Sequence, residues 1–351
     1  MSSGFEEVFQ TADFGEFEAG LSRQLGSHRS HLHGGGDAFF ASCRSARVGD
    51  LQLLLLRGRR KLELERTQLE WGLLWIPVRG SSEERINGRL VQAEPGQALL
   101  FRPGDHLLGR TDKEMAGLSV LLPASLFAEA GAPEDAARSR RRRIPQALLD
   151  PRRPADGCLI QAARRLAQAA ARRDPAAANA AAALLDQLTD TLPNLAGSIS
   201  GRRAWSMPAR KRWELVVEAS RWMEAHLQES FRVVDLAAAL QIPARTLQWA
   251  FAQELGRAPF AHARLLRLHA LRRLLQEARR RQEAMPIAAQ MAACGLPACG
   301  ETARTYRALF GELPSQTLMG LAVGQGTRKS EEFVKTLLMI DMARLIGRQL
   351  C

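Results

Sequence analysis

The chain has 351 residues, with 49 Lys and Arg against 37 Asp and Glu, and a formal net charge of +12. That length allows two domains, each able to bury its own core. Residues 201–319 hold 18 Lys/Arg against 10 Asp/Glu, an excess suited to a phosphate-binding surface. Five cysteines, Cys43, Cys158, Cys294, Cys299 and Cys351, are scattered and odd in number, which speaks against a disulfide framework and a close-paired zinc motif. Residues 1–24 carry acids where a secretory leader needs a basic start, and no run reaches membrane-spanning length. A cytoplasmic chain with reduced thiols and no membrane partner is expected.

Residues 1–24 place Phe5, Phe9, Phe14 and Phe17 at spacings that suit a short amphipathic helix or loop packing. From 38 to 122 the texture changes to short apolar runs parted by turn residues. Stretches 48–56, 61–66, 72–78, 89–93 and 98–102 read as strands, with Asn87-Gly88, Pro95-Gly96 and Pro103-Gly104 as turns. Many short strands at this spacing imply a small barrel or sandwich. Such a barrel suits a small-molecule cavity, for which Trp71, Trp75, Phe101 and His106 are candidate lining residues, although aromatic residues in small barrels are commonly plain core. His31-x-His33-x-x-x-Asp37, with His106 beyond, has spacing that could hold a metal for catalysis. A solvated His-rich loop explains the same residues, and neither enzyme activity nor a cofactor is expected.

Residues 138–143, Arg-Ser-Arg-Arg-Arg-Arg, read as a solvated basic loop. Two Ala-rich helical segments follow, 157–173 and 176–192, split at Asp174-Pro175. Leu159, Ala163, Leu166 and Ala170 form one stripe, and Leu184, Leu185, Leu188 and Leu192 another. These faces could pack on the barrel. Residues 193–208 read as a linker, and 213–229 as a helix with the stripe Trp213, Val216, Val217, Met223 and Leu227.

Residues 232–276 carry the strongest pattern. Val233, Leu236, Ala237 and Leu240 fall at helical spacing, Gln241-Ile242-Pro243 interrupts them, and Leu247, Phe251 and Leu255 resume the stripe. This is helix-turn-helix grammar, with Arg245, Thr246, Gln248 and Trp249 on the outward face, where donors and acceptors can meet base edges in a major groove. A long helix over 260–276 follows, and then a second, similar unit: Pro286-Ile287 opens a helix, Gly295-Leu296 turns, and 302–310 precedes Gly311. Both units close on Gly-x-x-Pro, Gly256 to Pro259 and Gly311 to Pro314. After Leu318 a spacer leads to an apolar-faced helix from Ser330.

The run Thr246-Leu247-Gln248-x-x-Phe251-x-x-Glu254-Leu255-Gly256-x-x-Pro259, then Arg267-Leu268-x-x-x-Arg272, then Tyr306-Arg307-x-Leu309-Phe310-Gly311-x-x-Pro314-Ser315 resembles the DNA-binding domain of AraC/XylS-type transcription regulators, over about a third of the chain. The resemblance implies an α+β multidomain protein: a cupin-like effector-sensing β domain over 1–125, a helical dimerisation segment over 126–192, a linker over 193–211, the double helix-turn-helix domain over 212–319, and a helical tail over 320–351. It also implies double-stranded DNA, a small-molecule effector, a second copy of the chain and the transcription machinery as partners.

The chain departs from the family pattern where Gly and then Ser are usual at the first turn and cap, having Gln241 and Pro243. Trp249 stands where Arg often follows the reading Gln. In the second unit Gln290 and Met291 replace an apolar residue and a small Ala, Leu296 replaces Phe, and Thr302 replaces an aromatic anchor. Its reading face holds Cys299, Gly300, Glu301, Ala303 and Arg304, of which Arg304 is the one obvious donor. The first unit is therefore expected to dominate sequence reading. A rival reading is an interaction module whose second unit no longer docks on DNA, and a more distant one is a metal-dependent cupin enzyme.

Overall fold

The computed structural model describes residues 4–26, 28–33, 38–66, 70–86, 89–129, 148–192, 209–283 and 285–320. They fall into two compact units, one holding nearly all described residues up to Leu192 and the other those from Ala209 to Gly320. The basic run at 138–143, the linker at 193–208 and the helix from Ser330 lie outside the described residues.

The first unit opens with β1 (Glu6–Thr11), α1 (Phe14–Leu25), β2 (Arg29–Leu32), β3 (Phe40–Val48) and β4 (Leu51–Arg59). Of the four Phe of the lead-in, Phe5 precedes β1, Phe9 lies in it, and Phe14 and Phe17 lie in α1. Asp13 caps α1 by accepting the Glu16 backbone N–H at 2.8 Å, so the helix starts where its first donors are satisfied. Phe14 and Phe17 then turn inward onto Phe39, with ring centroids 5.3 and 5.4 Å away. Next come β5 (Leu62–Arg66), β6 (Gly72–Arg79), β7 (Ser82–Ile86), β8 (Arg89–Ala93), β9 (Ala98–Phe101), β10 (Leu107–Thr111), β11 (Glu114–Leu122), α2 (Ser125–Glu129), β12 (Leu148–Leu149), α3 (Pro154–Arg172) and α4 (Ala177–Thr191).

These strands form a seven-stranded sheet of order β1-β3-β4-β11-β6-β9-β12 and a five-stranded sheet of order β2-β5-β10-β7-β8. The architecture expected as a barrel is thus two open sheets, whose ladders do not join among the described residues. One face of the large sheet, carrying Leu53, Leu74, Ile76, Leu118 and Val120, packs against α3 and α4. Leu159, Ala163, Leu166 and Ala170 from α3, with Leu184, Leu188 and Leu192, complete this core. The stripes of the segment that the resemblance assigned to pairing subunits therefore already pack on the sheet within one chain, the other arrangement open to them.

The second unit is all helical: α5 (Ala209–Ala225), α6 (Val233–Ala239), α7 (Ala244–Leu255), α8 (Pro259–Arg281), α9 (Ile287–Ala293), α10 (Gly300–Phe310) and α11 (Pro314–Met319). Both Gly-x-x-Pro sequences do the same work. Gly256 and Gly311 end α7 and α10 in the left-handed region, at φ 64° and 76°, and Pro259 and Pro314 open α8 and α11 at the position where a missing N–H costs nothing. α8 runs past the expected end at Gln276 as far as Arg281, stopping where Gln282 turns left-handed. Its 23 residues span about 35 Å at 1.5 Å per residue, close to one turn of duplex DNA.

Candidate nucleic-acid interface

α7 is seated by its underside. Leu247, Ala250, Phe251 and Leu255 are buried, so truncating Leu247 or Phe251 to Ala would cost about 2–5 kcal/mol. The helical period then turns Arg245, Gln248 and Trp249 to solvent and leaves Thr246 half-buried. Trp249 is 36% exposed, and the Arg212 guanidinium of α5 lies 5.1 Å from its ring centroid. That contact fixes the indole plane at the end of the outward face.

The turn before α7 explains one departure in the sequence. Gln241 sits at φ 54°, in the left-handed region that a glycine occupies without strain. The Ile242 backbone N–H donates to the Ala237 carbonyl at 3.0 Å, which closes the turn. Pro243 stands at the N-cap with no side-chain hydrogen bond, as expected of a residue without a cap acceptor. In the second unit the same turn carries Gly295 at φ 66°, and here glycine is required twice over, since a Cβ would come within 2.7 Å of the Leu227 carbonyl oxygen.

α10 is likewise seated by its underside. Thr302, Tyr306 and Phe310 are buried, and the Thr302 hydroxyl donates to the Pro297 carbonyl at 2.7 Å. Threonine thus replaces an aromatic anchor by closing a local hydrogen bond where volume is lost. Arg304 is exposed on the outward face, as are Cys299 and Glu301. Hydrogen bonds from the Thr302 backbone and side chain, with a smaller one from Glu301, hold the Cys299 thiol below its usual range, although the Glu301 charge opposes them.

Several residues that shape this surface were not assigned roles from the sequence. The buried Glu254 carboxylate pairs with Arg212, tying α7 to α5. Arg267 donates to the Leu227 and Glu229 carbonyls at 3.0 and 2.8 Å, which satisfies chain ends beyond α5. Arg272, 2% exposed, pairs with Glu312 at 3.3 Å and lies 4.6 Å from the Phe310 ring centroid. Tyr306, Thr317 and Glu312 continue this network through contacts of 2.8 Å. Glu254, Arg267 and Arg272 stand within the quoted motif. Their partners are distant in sequence, so spacing alone could not reveal them.

The proposed lining of the β domain fares differently. Trp75 and Phe101 are buried, and the Trp75 Nε1–H donates to Ser82 Oγ at 3.1 Å. His106 is buried with its Nε2 3.9 Å from Glu65, and Trp71 is half-buried. The stretch holding the histidines is not wholly loop, because Arg29–Leu32 is strand β2. His31 is buried there with its Nε2 3.4 Å from Glu63, whereas His33 is exposed and Asp37 lies outside the described residues. His31 and His106 therefore each meet a separate carboxylate, and no group of three metal-ligating side chains converges among the described residues. No described helix is long and apolar enough to cross a membrane.

A helical unit with two helix-turn-helix pairs, following in sequence a β unit of two sheets, defines a helix-turn-helix DNA-binding protein with a ligand-binding domain. Residues 17–193 match the AraC-binding-like domain model and residues 236–319 a helix-turn-helix domain model. The chain belongs to the AraC family of transcription regulators. No curated protein matches it. Similar solved structures include the AraC-like transcriptional activator CuxR, at 15% identity over 70% of this chain and 88% of that one, with a TM-score of 0.42. ToxT from Vibrio cholerae is 11% identical over 78% of this chain and 99% of its own, with a TM-score of 0.37. A probable AraC family regulator from Rhodopseudomonas palustris CGA009 is 29% identical over 31% of this chain and 98% of its own, with a TM-score of 0.29.

Proposed function

We propose that the chain reads a specific DNA sequence and that a small-molecule effector in the β domain sets when it does so. The observation that carries this is the outward display of Arg245 and Gln248 from a helix anchored by Leu247 and Phe251. Arg245 offers paired donors and Gln248 a donor with an acceptor, as bidentate base contacts need. Thr246 and Trp249 contact the adjacent backbone or a thymine methyl, and Arg304 adds a contact from α10. The well-seated α10 supports a second helix-turn-helix that positions the protein, in preference to a module that has left DNA altogether.

The domain limits follow the same reading: effector domain 1–125, helical segment 126–192 acting in dimerisation through a face other than the one packed on the sheet, DNA-binding domain 212–319. The protein works in the cytoplasm as a homodimer that meets the transcription machinery. Selection of bound sequences from random DNA with the full chain tests this. Enrichment of a site with two parts about 10 base pairs apart is expected, and no enrichment over input would refute sequence reading.

A further inference from the structure

The inner face of the five-stranded sheet holds an arginine whose buried Nε has no hydrogen-bond partner. Leu74 and Ile76 of β6 pack with α3 and α4, so Trp75 between them points the other way, to Ser82 on the five-stranded sheet. Strand alternation then assigns Ser82, Glu84 and Ile86 to the inner face of β7. The pairings Gly109↔Glu84, Gly109↔Leu64 and Leu107↔Arg66 place Gly109 and Leu107 of β10 and Leu64 and Arg66 of β5 on that same face. Glu84 leans over Gly109, where a Cβ would sit 2.5 Å from a carboxylate oxygen. The missing side chain lets the Glu84 carboxylate lie across β10, with Arg66 one row further along on its other side.

Arg66 is 9% exposed, and its Nε is buried without an acceptor. Among the described residues it makes no hydrogen bond or ion pair. Burial lowers its affinity for its proton, and the nearby Glu84 charge opposes that. Burial also pushes the Glu84 carboxyl up to about 7, with Arg66 acting against the rise and Glu83 adding to it. His28, whose Nε2 is likewise buried without a partner, is pushed down to about 4 by burial and by Arg66. A buried unpaired cation is a heavy penalty for a fold, and sites built for a ligand are where such penalties persist.

We propose that Arg66 anchors a small organic carboxylate over the inner face of β5 and β10, with the ligand's apolar body against Leu64, Leu107 and Trp75. The proposal rests on the reading that this unit binds an effector. When Glu84 holds its proton, which its burial favours, the one guanidinium balances a single negative charge, and that favours a carboxylate over a phosphate ester.

The test uses the full chain, wild type, Arg66→Met and Arg66→Lys, with benzoate and benzamide and with hexanoate and hexanamide as probes. Each carboxylate should raise the melting temperature of the wild type more than its amide does. Arg66→Met should lose roughly ten-fold or more in carboxylate affinity, and Arg66→Lys should retain part of it. Without any probe, Arg66→Met should melt above the wild type, because the unpaired buried charge is gone. Carboxylates no better than amides would overturn the proposal, as would an Arg66→Met chain that melts below the wild type and is restored by Lys. DNA binding by Arg66→Met separates the two readings: if it persists while the carboxylate arm fails, the regulator stands and the anion site falls.

Discussion

Arg264 of α8 places its guanidinium 3.1 Å from the Glu301 carboxylate on α10 and 3.3 Å from the Thr305 hydroxyl. A carboxylate on a DNA-facing helix would repel phosphates, and this ion pair offsets that repulsion with a cation from the helix behind. Both side chains keep substantial exposure, so the pair contributes well under about 1 kcal/mol to stability. Its weight is on binding. Glu301→Gln should tighten DNA binding a few-fold at low salt and steepen the dependence of log affinity on log salt by about one unit, because Arg264 is released toward phosphate. Fluorescence anisotropy between 50 and 200 mM salt, concentrations over which such effects are large, reads this directly. An unchanged slope would place α10 away from the duplex.

Arg245 and Gln248 should carry discrimination while Arg304 carries affinity. Changing Arg245 or Gln248 to Ala should relax preference at one base pair by about 1–3 kcal/mol each. Arg304→Ala should weaken all sequences nearly equally. Competition binding against single-base variants of the selected site separates the two, and equal affinity of mutant and parent for every variant would remove Arg245 and Gln248 from the reading face.

Gln241 should be improvable. A non-glycine residue at φ 54° carries strain of about 1–2 kcal/mol, of which glycine recovers part after its own entropy cost. Gln241→Gly should therefore stabilise the chain by up to about 1 kcal/mol in urea unfolding, with DNA binding retained. A loss of stability would mean that the Gln241 side chain makes contacts that outweigh its backbone strain.

Cys299 is exposed at the N-cap of α10, and its thiol is held below the usual range. Burial pushes the Cys43 thiol up to about 12, and raises that of Cys294 as well. Iodoacetamide near neutral pH should label Cys299 well before Cys43 or Cys294, by about ten-fold or more in rate. Bound DNA should protect Cys299 but not the exposed Cys158, as peptide mass mapping would record.

Glu84 predicts a pH slope. Its carboxyl is raised to about 7 in the fold from an ordinary value of 4.5, so between these limits the folded chain binds more protons than the unfolded chain. Stability from this group is present below about 4.5 and is lost as pH rises through about 7. Glu84→Gln should flatten that part of the stability profile, and an identical slope in mutant and parent would show that Glu84 titrates normally.

The strands show why parts of the β unit escaped the sequence reading. β11, Glu114–Leu122, is buried on both faces from Met115 onward and so lacks the alternation that marks a half-solvated strand. β7, Ser82–Ile86, is mostly charged, because its inner face meets Gly109 and Trp75 through Glu84 and Ser82 instead of through apolar side chains. β2 was masked by the histidines and glycines around it.

The helical half was legible because its information is local. Leu247, Phe251, Gly256 and Pro259 declare a helix, its buried side and its end within a few turns of chain, and the same grammar repeats around Tyr306, Phe310, Gly311 and Pro314. What only the tertiary structure decided are the partners brought together from afar. Glu301 meets Arg264 across 37 residues of sequence and Glu254 meets Arg212 across 42, while Arg66 comes to rest on a sheet with its buried Nε unbonded. Whether a charge repels, anchors or waits for a ligand depends on which surfaces the folded chain sets around it, and that is a property of packing in three dimensions.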